Sequence, residues 1–198
     1  MGLWTMTLLC GYGLVILLNL IFSFSFTTLL NLIICLAIIM LPAALFLFIG
    51  RIMPKKIFNE NKRMLKIGVV KQKICKITNV KVWKDKIPVG GRVAGFRMNK
   101  LEKPNDPKYL GRFVFESCFA DWLHTTLFFW SFIYIFIILF INSSLVLPMA
   151  LPFAILFAYQ NITSSIIQWY MRPRLIKLKN ITEKRNSQIE LVEKTQNN

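Results

Sequence analysis

Acidic residues are scarce in this chain, and large parts of it hold no charge at all. Of 198 residues, 9 are Asp or Glu against 25 Lys or Arg, and there is a single histidine. Residues 1–50 contain no charged side chain, and neither do residues 125–171. Uncharged blocks of that length exclude an ordinary soluble domain. A helix needs roughly 20 apolar residues to cross the hydrocarbon core, so each block is long enough to cross twice. Cysteine is also sparse: Cys10, Cys35, Cys75 and Cys118 form no Cys-x-x-Cys pair. With one histidine beside them, no zinc set is available and no metal is expected. Disulfides are not expected either, since Cys75 and Cys118 should face a reducing cytoplasm. All four read as small buried hydrophobes. The net charge of +16 comes with no nucleic-acid recognition motif. Basic residues flanking apolar runs are topology determinants. They also attract anionic lipid at about 1 kcal/mol each. Membrane lipid is therefore the expected partner, and nucleic acid is not.

What the chain does contain is apolar mass: 55% hydrophobic residues, 17 of them Phe. The pattern predicts an all-α integral membrane protein of about four transmembrane helices, arranged as two hairpins around a basic cytoplasmic segment. Residues 1–50 form the first hairpin, with helices over 3–22 and 27–49 and a short turn at Phe22–Phe26. A second apolar run follows the first at once, and no small-residue cleavage site separates them, so the first reads as an uncleaved span. Pro42 is an expected kink. Asn19 and Asn31 should turn inward to find partners. Residues 51–124 are the basic cytoplasmic and interfacial segment, with 18 basic and 6 acidic residues. Within it, 55–67 is expected as an amphipathic surface helix and 72–83 as a short strand or extended stretch. Lys103–Pro107 is a turn cluster, and 108–124 is a helix feeding the next span. Residues 125–171 form the second hairpin, with helices over 125–142 and 145–170, the latter interrupted near its start by Pro148 and Pro152. Residues 172–198 are a loose, partly helical polar tail. The positive-inside rule places both termini and the central segment in the cytoplasm.

The segment Glu116–His124 brings the only histidine to the edge of an uncharged block. Ser117, Asp121 and His124 share a helix face. Asp121 stands three residues before His124, close enough for its carboxylate to hold one imidazole tautomer, freeing the other nitrogen to take a proton from a hydroxyl. A serine triad is disfavoured, because two turns of helix set Ser117 and His124 about 10 Å apart. Cys118 lies on another face. Glu116 lies about 80–100° around the helix, placed to bind substrate or pair with a base. On the last span, Asn161, Ser165, Gln168 and Arg172 share one face, as interhelical partners or as a substrate path. Tyr170, Arg172 and Arg174 close that span, and Trp83, Lys84 and Lys86 read as interface anchors.

Several of these segments, in order, resemble the glycosyl-4,4'-diaponeurosporenoate acyltransferase family, small membrane proteins of staphylococci and related bacteria. One is Trp83-Lys84-Asp85-Lys86-Ile87-Pro88, followed by the glycine-containing stretch Gly90–Phe96. The second is Glu116–His124, similar to a family Glu-Thr-x-Arg-Ala-Glu-x-x-His motif. The third is Asn161 with Gln168–Arg174, similar to an asparagine followed by Gln-Arg-Tyr-Asn-Arg-Pro-Arg. The match spans roughly residues 55–178. It departs where Phe119 and Trp169 replace arginines, Asp121 replaces a glutamate and Met171 replaces an asparagine.

The resemblance implies transfer of a fatty acyl group to a sugar hydroxyl of a glycosylated carotenoid (C30, staphyloxanthin-type) or related glycolipid in the bacterial cell membrane. It implies no bound cofactor, with acyl-CoA or acyl carrier protein as co-substrate, and other carotenoid-pathway enzymes as partners. The catalytic set it points to is His124, Asp121 and Glu116. Substrate binding falls to Asn161, Gln168, Tyr170, Arg172, Arg174, Trp83, Lys84 and Lys86, with Asn161 or Gln168 facing the oxyanion and the cations facing donor phosphates. The competing class is a non-enzymatic membrane protein for lipid binding or assembly, since charge segregation and interfacial Trp and Lys need no catalysis.

Overall fold

Local sequence signals start the helices, and packing against neighbours extends them. The computed structural model describes residues 3–23, 25–84 and 101–196. Helix α1 spans Leu3–Phe22 and α2 spans Phe26–Ile52, passing through Pro42. Ser25 caps α2, its hydroxyl accepting from the Thr28 amide at 3.1 Å. Two short helices follow, α3 (Val69–Ile77) and α4 (Val80–Trp83). Asn79, between them, takes the left-handed conformation (φ 48°) that Asn tolerates better than most residues. Helix α5 spans Pro107–Ile141. The carboxylate of Asp106 caps it, accepting from the Lys108 and Tyr109 amides at 2.9 and 3.3 Å, with Pro107 in the first turn. After a tight turn at Ser143–Leu145 and a π-helical turn at Val146–Ala150, α6 runs from Leu151 to Gln196.

The described residues are all helix, turn or irregular segment, with no strand. Among the described residues, three helices are long and apolar enough to cross a membrane: Phe26–Ile52, Pro107–Ile141 and the stretch Ser143–Ile189. Helix α1 adds a shorter apolar run, Leu8–Phe22. The antiparallel pair α5/α6 is the scaffold, and α1 and α2 lean on it. Its apolar core joins Cys35 and Ile39 of α2 to Tyr134 and Ile138 of α5 and Phe153 and Phe157 of α6. Asn19 finds partners as expected, donating to the Val15 and Pro148 carbonyls at 2.8 and 2.9 Å. The second of these satisfies a carbonyl in the π-helical turn, where the proline-rich start of the span interrupts regular bonding. Asn31 is half-buried and makes no hydrogen bond among the described residues.

Three local expectations are corrected. Residues 72–83 are helical, not extended. No described strand stands beside them to pair, and a helix satisfies its own backbone groups. Residues 55–67 form only a 3-10 turn, Lys55–Phe58, before turning irregular. The Asn59 side chain accepts from the Asn61 amide at 2.9 Å, the local bond by which asparagine competes with helix. The tail beyond 171 is a continuous helix through Pro173 to Gln196. It is held because α5 also continues past its apolar part: Leu175 is buried against the α5 side, and Thr182 bonds the Pro104 carbonyl at 3.5 Å. The proline leaves the Trp169 carbonyl without its usual donor, and tertiary packing outweighs that loss.

Candidate functional site

Gly50 sets the architecture around the expected site. A Cβ there would lie 2.5 Å from the Phe119 ring and 2.7 Å from the Trp122 ring, so only glycine lets α2 approach α5 this closely. One residue on, Arg51 bonds Glu116 at 3.0 Å and stacks its guanidinium 4.4 Å over Phe119. Glu116 thus takes the pairing role open to it in the sequence. Phe58, at the end of the 3-10 turn that opens the segment 55–67, packs edge-on against Phe115, Phe119 and Trp122. That segment covers α5 and supplies a free backbone carbonyl, Leu65, to what lies beneath.

Beneath lies a buried ion cluster. The guanidinium of Arg172 is fully buried. Its Nη2 donates to Asp121 Oδ2 and to the Ser117 carbonyl, both at 2.9 Å. Nη1 donates to the Leu65 carbonyl at 2.6 Å and Nε to Ser117 Oγ at 3.3 Å. Asp121 is equally enclosed: Trp169 Nε1 donates to its Oδ1 at 2.6 Å, Thr125 Oγ1 does so at 3.3 Å, and Lys71 Nζ stands 3.5 Å from Oδ2. Lys71 also donates to the Met64 carbonyl at 2.8 Å and sits 5.1 Å over the Trp169 ring. A carboxylate and guanidinium buried together need this many partners to offset the loss of hydration.

The Asp121–His124 pairing expected from spacing is therefore replaced. Asp121 is turned to Arg172, Trp169 and Lys71. His124 is held instead by Asn161, with Nδ1 to Oδ1 at 2.9 Å. The Asn161 amide nitrogen donates to the Phe157 carbonyl at 2.8 Å, which fixes the oxygen toward the histidine. An amide oxygen only accepts, so His124 Nδ1 carries the proton and Nε2 is the basic nitrogen of the neutral ring. His124 is partly exposed, whereas Asp121 is not. The amide group of Asn161 is committed to this pair, which takes it away from the oxyanion position that the resemblance suggested. Arg172 is likewise drawn inward by protein acceptors, rather than toward a donor phosphate.

The remaining expected residues are spread around this centre. Gln168 is buried on α6. Ser165 shares its hydroxyl with Thr125 at 3.3 Å. Trp83 Nε1 donates to the Thr78 carbonyl at 2.7 Å, and its ring is partly buried against two apolar clusters. Lys84 is half-exposed just beyond it, and Lys86 lies outside the described residues. Tyr170 and Arg174 stack at 4.3 Å on a different face of α6. Lys71 was missed in sequence, where it is one of many lysines. So was the Leu65 carbonyl, which no side-chain pattern reports. The aromatic substitutions turn out not to strip the site of cations: Arg51 lies over Phe119 and Lys71 over Trp169.

Fold and site together define an all-helical membrane protein with a histidine–amide pair beside a buried ion cluster, where its uncharged spans meet the basic segment. Residues 54–180, most of the chain, match the glycosyl-4,4'-diaponeurosporenoate acyltransferase family. The chain belongs to that family, and so to the acyltransferases of carotenoid biosynthesis. No curated protein and no solved structure matches it.

Proposed function

We propose that the protein transfers a fatty acyl group to a sugar hydroxyl of a glycosylated carotenoid or related glycolipid, with His124 as general base. The observation that carries this reading is the His124–Asn161 pair. It presents a neutral imidazole with Nε2 basic, on a partly exposed side chain, where the apolar spans give way to the charged segment. Both substrates are amphipathic, with tails that belong in lipid and reacting groups that belong at its surface. Nε2 takes the proton of the sugar hydroxyl as its oxygen adds to the acyl carbonyl. The tetrahedral intermediate then collapses to the ester, the carbon–sulfur bond of a thioester donor breaks, and His124 returns the proton to the departing thiolate. Such donors are acyl-CoA or acyl carrier protein. Asp121 and Arg172 act as positioning residues, locking α5 to α6 so that His124 and Asn161 meet. We place the protein in the bacterial cell membrane as a multi-pass protein, with both termini and the basic segment cytoplasmic.

The test is pigment and glycolipid profiling in cells that supply the unacylated glycoside. Wild-type protein should yield the acylated product. His124→Ala should lower it by about 10²- to 10⁴-fold, the usual worth of a general base, while the protein still accumulates in the membrane. Full product from that variant sinks the mechanism. Absence of any acylated glycoside with wild-type protein sinks the substrate assignment.

A further inference from the structure

Away from the histidine pair, a cavity of about 540 Å³ opens between α3, α4 and α6. Its lining includes three cations, Lys76, Lys81 and Arg174, and no carboxylate. None of the three is ion-paired to an acid among the described residues. Asn79 and Gln72 add uncharged hydrogen-bonding groups, and Tyr170 and Trp169 form the apolar wall. Three unneutralised cations around one concavity repel each other, an arrangement that an anion relieves.

The helix beside the cavity says where such an anion resides. On α3, Val69, Val70 and Ile77 fall within about 100° of each other by the helical period. They are 82%, 72% and 73% exposed. The opposite side of α3 carries Cys75, buried on Ile166 of α6. A short helix bound to the bundle on one side, and exposing Val69, Val70 and Ile77 around Lys73 on the other, is suited to the headgroup–acyl boundary, where a lysine stem lies along apolar surface and its ammonium stays among the headgroups. Its level agrees, because the cavity lies where the uncharged block 125–171 ends at Tyr170 and Arg174.

We propose that this cavity binds the phosphate headgroup of an anionic phospholipid, with α3 and α4 lying in the lipid surface around it. The lysines and Arg174 neutralise the phosphate, and the bare valines and isoleucine meet the upper acyl chains. The site is separate from the His124–Asn161 pair and does not depend on the acyl-transfer reading.

The full-length protein is extracted from vesicles of equal phosphatidylglycerol and phosphatidylcholine, and the retained lipid is read by native mass spectrometry. Wild-type protein should hold phosphatidylglycerol selectively. The triple variant K76Q/K81Q/R174Q should weaken that retention by at least about tenfold, given what each cation contributes beside an anionic leaflet. The charge-matched K55Q/K56Q/K62Q should behave as wild type. Equal retention in the triple variant, or equal loss in the control, overturns the proposal. Displacement of the lipid by free coenzyme A or inorganic phosphate also overturns it, in favour of a soluble phosphate ligand. Should the triple variant fail to fold, the wild-type chain gives the second reading. Its unfolding midpoint should rise when phosphatidylglycerol, but not phosphatidylcholine, is added to the micelles, and no rise overturns the site.

Discussion

At the scale of single residues, Asp121 and His124 sit one turn apart and do different work. The carboxylate of Asp121 neutralises Arg172 in a site neither shares with solvent. Asp121→Asn should therefore cost stability, about 3–5 kcal/mol, because it leaves a buried guanidinium uncompensated. The measurement is thermal unfolding in detergent. Pairing Asp121→Leu with Arg172→Met should recover most of the loss, since an apolar pair of similar volume removes both buried charges. A stable but inactive Asp121→Asn would return the residue to the histidine as its orienting acid. Asn161→Leu probes the other side of the division. It keeps the volume but frees the imidazole to change tautomer and orientation, so kcat should fall on the order of tenfold with KM little changed. A fall in stability with kcat intact would assign Asn161 to helix packing alone. Sequence reading reached both His124 and Asn161 but not their contact. Spacing along one helix names neighbours three and four residues away, whereas these two are 37 residues apart.

At the scale of elements, the close approach of α2 to α5 holds the site's cover in place. Gly50→Ala drives a methyl group into the Phe119 and Trp122 rings. Phe58 pins both rings from above, so neither can swing away. The expected cost is about 1–3 kcal/mol, the range for overpacking a filled core, read as a lower unfolding midpoint. An unchanged midpoint would show that the helices slide apart at no cost. The expectations that failed at this scale share one cause. The segments 55–67, 72–83 and 172–198 lack enough apolar periodicity to fix their own conformation, so their neighbours decide it. The same lysine-rich stretch that reads as an alternating strand becomes α3 and α4 once Cys75 and Val80 bury against Ile166 and Trp169. The polar tail becomes helix because the first turns of α5, beyond the apolar block, give it a surface.

At the scale of the whole molecule, the charge map and the helix lengths tell one story. Helix α6 has 46 residues, about 69 Å at 1.5 Å per residue, more than twice a hydrocarbon core of about 30 Å. The excess of α5 and α6 stands on the charged side and carries the ion cluster and the basic cavity. The proposed orientation is checked with single cysteines in a background lacking the four native ones. Lys62→Cys should be shielded from an impermeant maleimide in intact cells, and Ser144→Cys, in the far turn, should react. The opposite pattern would invert the topology.

The sequence by itself determined the all-α membrane class. Two uncharged blocks leave little freedom, because charge in hydrocarbon is too costly to be placed casually. The order of three short motifs was also enough to indicate the family. Only the tertiary structure decided which polar group meets which. Arg172 reads in sequence as an anchor beside a proline, and becomes the buried partner of Asp121 when α6 lies antiparallel to α5 and the Leu65 carbonyl closes over it. Pairing across helices depends on their relative rotation and on backbone carbonyls freed by irregular segments, and neither quantity is written in the spacing of residues along one helix.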